Sequence, residues 1–92
     1  MSAKTYDVDI ADYLETKEDI TEYLQQVLST GTEEDFIYAL SIASRAYGMA
    51  EIAETTGLSR TSLYKSLKEG GNPSFKTVSK VAKALGLRLA MA

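Results

Sequence analysis

The chain has no cysteine, no histidine and a single proline among its 92 residues. The absence of cysteine excludes a disulfide framework and thiolate metal sites. The absence of histidine excludes the common zinc sites and imidazole acid–base chemistry. No run approaches the roughly 18 apolar residues that a membrane span needs. No basic-then-apolar leader opens the chain, so a soluble cytoplasmic protein is expected. Residues 1–92 read as one domain, near the lower end of what a single core can stabilise alone, and dimerisation would help such a chain. The carboxylates are numerous, but they fall mainly in first helical turns or on outward faces. With no phosphate-binding glycine loop and no metal spacing either, the expectation is a protein without enzyme activity, metal or cofactor.

Charge of one sign is also scarce in each half. Residues 1–57 carry Lys4, Lys17 and Arg45 against twelve carboxylates, a net charge of −9. Residues 58–92 carry seven cations against Glu69 alone, a net charge of +6. The overall −3 therefore conceals a dipolar chain whose basic half could face a polyanion, because the local field of a docking face matters more than the total. The acidic half suits a basic protein partner, or serves only to keep the molecule soluble.

Apolar periodicity and capping signals outline five helices. Tyr6, Val8 and Ile10 alternate with Asp7 and Asp9, a strand-like or extended arm within residues 1–15. Thr16 and Asp19 have capping-box spacing ahead of a stripe of Ile20, Tyr23, Leu24, Val27 and Leu28. Gly31 should end that helix. Thr32 should cap the next, whose first turn Glu33-Glu34-Asp35 suits the helix dipole and whose inward stripe is Phe36, Leu40, Ala43 and Tyr47. After the loop signal Gly70-Gly71-Asn72-Pro73, Ser74 should cap a helix to about Leu85, with Phe75, Val78, Ala82 and Leu85 inward. Lys76, Lys80 and Lys83 share another face, more often a solvated surface than a contact. Beyond Gly86, residues 87–92 alternate as a short strand, which would pair with the N-terminal arm or with its twin in a dimer.

The stretch Met49 to Lys68 reads as a helix-turn-helix. Ala53 is small where two helices would cross, Gly57 stands where the turn needs a positive φ, and Ile52, Leu58 and Leu63 fill the wedge. Ser59 is a good N-cap for the second helix. Arg60, Thr61, Tyr64, Lys65 and Lys68 would project outward from it, cations and hydrogen-bond formers suited to phosphates and base edges. Ser59 belongs to the same expected DNA-contact set, as do Asn72, Ser74 and Lys76 from the following loop and helix start. The plainer alternative is a helical hairpin with a solvated basic face.

An all-α, five-helix arrangement with that motif and a short C-terminal strand resembles the lambda-repressor-like (XRE or Cro/CI) DNA-binding fold. Further words narrow the likeness: Tyr13-Leu14, Gly48-Met49, Thr56-Gly57-Leu58-Ser59-Arg60, Ser62-Leu63-Tyr64-Lys65, Gly71-Asn72-Pro73-Ser74-Phe75 and Ala84-Leu85-Gly86-Leu87. Together with the acidic first helix these resemble the probable addiction-module antidote family, the antitoxin halves of type II toxin–antitoxin operons. The resemblance implies direct neutralisation of a small basic toxin of RelE/ParE type and binding of the operon's own promoter, alone or with the toxin. A homodimer is expected besides, because a single small module makes too few contacts for specific operator binding. The resemblance also implies reading contacts from Ser59 and Arg60, with Tyr64 and Lys65 one turn later. It stops short at Glu51, where relatives often place a glutamine that donates to a phosphate and this chain has an anion. A prophage or housekeeping repressor with no toxin partner is the alternative. In an antitoxin, the toxin should meet the acidic half, with Tyr6 or Tyr13 as anchoring aromatics.

Overall fold

The computed structural model describes residues 9–68 and 71–87. Within them run a 3₁₀ turn (Ile10–Tyr13) and five α-helices: α1 (Lys17–Thr30), α2 (Glu33–Tyr47), α3 (Met49–Thr56), α4 (Arg60–Leu67) and α5 (Phe75–Ala84). No strand occurs among the described residues.

Four of the five α-helices start where a side chain satisfies one of the first free amides, and α3 starts at Gly48 without one. At α1 the Asp19 N–H donates to Thr16 Oγ1 at 3.0 Å, while Asp19 Oδ2 accepts from the Thr16 N–H at 3.2 Å. Thr32 and Asp35 repeat this reciprocal box at α2, at 3.1 and 3.0 Å. Asp35 therefore does more than complement the helix dipole: it closes the box.

α2 is enclosed by every other element: the 3₁₀ turn, α1, α3, α4 and α5 all pack against it. Phe36, Ala39, Leu40, Ile42, Ala43 and Ser44 are buried along it, a wider face than the single stripe read from periodicity. Ile20 and Leu24 of α1, Met49 and Ile52 of α3, Leu63 and Leu67 of α4, Val81 and Ala82 of α5, and Leu85 and Leu87 just beyond it belong to one core cluster with Phe36, Ala39, Leu40 and Ala43.

Four expectations need correction. Ile10 lies in the 3₁₀ turn and is exposed; the Asp9 carboxylate accepts from the Ala11 N–H at 3.1 Å and its carbonyl from the Asp12 N–H at 2.9 Å, which curls the chain out of an extended path. Tyr6 and Val8 lie outside the described residues. Leu28, expected inward, is 50% exposed at the last turn of α1, and Phe75, expected inward, is 57% exposed as the first residue of α5. Both line an open groove instead. Leu87 is buried but not in a strand: its N–H bonds to Ala82 O at 2.9 Å while the Gly86 N–H bonds to Lys83 O at 3.0 Å, a Schellman ending of α5 that folds Leu87 back onto the core. The remainder of the expected strand, 88–92, lies outside the described residues.

Among the described residues the Ser44 hydroxyl is buried without a hydrogen-bond partner. A buried unpaired hydroxyl opposes folding by about 1–3 kcal/mol. Ser44→Ala should therefore raise stability, by about 1 kcal/mol, read as a higher urea midpoint at unchanged slope. A lower midpoint would mean that the hydroxyl has a partner.

Candidate nucleic-acid interface

The α3–α4 unit is built from a few short-range devices. The Thr56 hydroxyl, buried at the end of α3, donates to Ile52 O at 2.7 Å and accepts from the Leu58 N–H at 3.3 Å, locking the turn to the helix it leaves. Gly57 follows at φ 78°, the left-handed conformation that costs a residue with a Cβ about 1–2 kcal/mol, although the space around it is open. The Gly57 N–H bonds to Ala53 O at 3.0 Å. Two residues on, Ser59 Oγ accepts from the Ser62 N–H at 3.0 Å and starts α4. Leu63 and Leu67 are completely buried, and Leu58 packs half-buried against the same core.

That burial fixes what α4 shows to solvent. Arg60, Thr61, Tyr64, Lys65 and Lys68 recur at the i, i+1, i+4, i+5, i+8 spacing of one helical face, and all are exposed. The one salt bridge among the described residues is made elsewhere, so the three cations of this face are not neutralised within it. Ser59 is exposed but its hydroxyl serves the cap, with a further 3.0 Å bond to the Ser62 hydroxyl. Ser74 is its counterpart at α5, accepting from the Thr77 N–H at 3.1 Å. Asn72 and Lys76 are exposed on either side of Ser74.

The loop bearing Asn72 is held against α4. The Gly71 N–H bonds to Lys68 O at 2.8 Å, and a Cβ on Gly71 would collide with the Ser66 carbonyl and lie 2.9 Å from those of Lys65 and Lys68. Only glycine lets the chain pass that close to the carbonyl end of the helix. Five of the expected residues thus share the α4 face, and Asn72 follows directly on its anchored end. No hydrogen bond among the described residues joins Lys76 to them.

Glu51, the departure noted above, lies in the first turn of α3 with its carboxylate turned back toward Gly48, whose Cβ position is 3.2 Å from Glu51 Oε1. Gly48 offers no side-chain cap, so an anion beside the free amides of α3 is favourable.

One residue was missed. Arg45, in the last turn of α2, donates to Asp9 through two parallel bonds of 2.7 and 3.3 Å, pinning the N-terminal segment across α2. Its bond to Asp9 raises the Arg45 pKa, against a smaller opposing effect of burial. Composition could mark it only as a lone arginine in an acidic half.

A family of probable addiction module antidote proteins matches residues 4–92. This chain belongs to that family. An uncharacterised protein of Haemophilus influenzae is 42% identical over 88 residues, covering 96% of this chain and 91% of the relative. No solved structure matches the chain. Membership implies a toxin partner for the antidote. Among the described residues no helix is long and apolar enough to cross a membrane.

The Arg45 bond holds the Asp9 carboxyl below its ordinary value of 3.8, with the Ala11 N–H helping. A lowered native pKa means stabilisation that is present above the ordinary value and lost as pH falls through the lowered one. The Ala11 amide should therefore titrate by NMR with a midpoint below 3.8, unchanged at neutral pH, and the step should vanish in Asp9→Asn. A midpoint at or above 3.8 would mean that the pair does not form in solution.

Proposed function

We propose that this protein is a DNA-binding antitoxin with no enzyme activity. It neutralises a small basic toxin of RelE/ParE type by direct binding and represses its own operon through α3–turn–α4, acting as a helix-turn-helix of lambda-repressor-like type in the cytoplasm. The observation that carries the DNA reading is that Arg60, Thr61, Tyr64, Lys65 and Lys68 are all exposed while Leu63 and Leu67 of the same helix are fully buried. A buried side, and cations that form no ion pair among the described residues, are what a helix needs to enter a groove while its back stays in the core. Membership of the antidote family favours an antitoxin over a repressor without a partner.

In this reading Arg60 and Lys65 project from adjacent turns, one to a guanine edge and the other to a phosphate. Asn72, Ser74 and Lys76 add contacts beside the groove, and the Ser59 and Ser74 hydroxyls mainly hold the helix starts in place. A single small module makes too few contacts for specific operator binding, so a two-fold dimer presents two copies of α4 to half-sites about 34 Å apart, or a multiple of that spacing.

The test is binding to the chain's own promoter fragment across a salt series. A base-reading arginine replaced by alanine should cost about 1–3 kcal/mol and relax specificity, whereas loss of a phosphate lysine should lower the salt slope by about one. Arg60→Ala combined with Lys65→Ala should abolish preference for the promoter over unrelated DNA. Unchanged operator affinity at fixed salt would remove α4 as the reading helix.

A further inference from the structure

Leu28 and Phe75, the two large apolar residues that periodicity places inward, both line one open groove of about 420 Å³. Its walls come from opposite ends of the charge dipole. Leu28, Phe36 and Ile37 belong to α1 and α2 in the acidic half, and Pro73, Phe75 and Val78 to the basic half. Glu33 is the one charged residue among the described lining, and it makes no salt bridge among the described residues. Half-exposed leucine and phenylalanine side chains meeting in one concavity form the kind of surface that a partner covers.

We propose that this groove is where the toxin docks: an apolar side chain of the basic toxin enters between α1–α2 and the 71–75 segment, and a neighbouring lysine or arginine of the toxin meets Glu33. The inference rests on the antitoxin reading and names the surface that reading leaves open. Charge decides the occupant. A basic partner places a cation against Glu33, the one charged residue among the described lining, and an apolar anchor beside such a contact is the pattern of a small binding hot spot.

The experiment uses the full chain and the small basic protein co-transcribed with it, purified separately. Leu28→Ser and Phe75→Ser each remove an already half-exposed apolar group, so the helical circular dichroism should persist. Each should weaken toxin binding about tenfold or more, and Glu33→Gln should slow association at low salt, while operator affinity stays within about twofold. Because the chain has no cysteine, Leu28→Cys supplies a unique thiol whose alkylation the toxin should slow at least about tenfold. Failure of the unaltered chain to bind its co-transcribed protein would sink the antitoxin reading and the groove with it. Tight binding by the unaltered chain that the serine variants retain, with Leu28→Cys still freely alkylated in the complex, would overturn the groove alone. A serine variant that lowers the antitoxin's own oligomeric mass without affecting toxin binding would assign the groove to a second copy.

Discussion

Enclosure of α2 is the constraint on which the other elements depend. A helix touched by five neighbours cannot carry bulky residues all round, and Ala39 and Ala43 beside Leu40 let the packing close while all three stay essentially inaccessible. Interiors at crystal-like density leave little room for adjustment, so removing the Leu40 side chain would cost on the order of 2–5 kcal/mol. The cost would be felt at the far side of the molecule, because α4 is positioned partly by α2 and partly by α3.

The charge asymmetry of the chain maps onto this architecture. The acidic first turns of α1 and α2 are where helix dipoles welcome carboxylates, and two of those acids, Asp19 and Asp35, are engaged in caps. What remains exposed there is surplus negative charge available to a partner. On the other side the α4 cations have no acids among their described ion-pair partners. Arg45 is the one cation of α2, and its charge is matched by Asp9.

Legibility from sequence followed the range of the forces involved. Caps at Thr16, Thr32, Ser59 and Ser74 and the positive φ at Gly57 were readable, because each is decided within a few residues. Burial of Leu63 against exposure of Lys65 was readable for the same reason: helical period fixes the two sides once one is known to be inward. Leu28 and Phe75 failed because period names a face of the helix without saying whether another element reaches that far along it. Leu87 failed because alternation in a short apolar run looks the same whether the first residue starts a strand or closes a Schellman ending. The Asp9–Arg45 pair spans 36 positions and leaves no local signature at all.

The groove and the α4 face are mechanically close through the segment that follows α4. Gly71 is clamped on the carbonyl end of that helix, Asn72 and Pro73 line the groove directly after it, and Ser74 starts the helix whose first residue is Phe75. The same few residues therefore form a groove wall and carry Asn72 and Ser74 of the expected DNA set. Gly71 cannot move far without breaking its 2.8 Å bond to Lys68 or striking the neighbouring carbonyls. An occupant that pushes on Pro73 or Phe75 would transmit its displacement either into α5, which rests on α3, or into Lys68, the residue that ends α4. Both helices of the proposed reading unit therefore lie one contact away from the groove, α3 through α5 and α4 through Gly71.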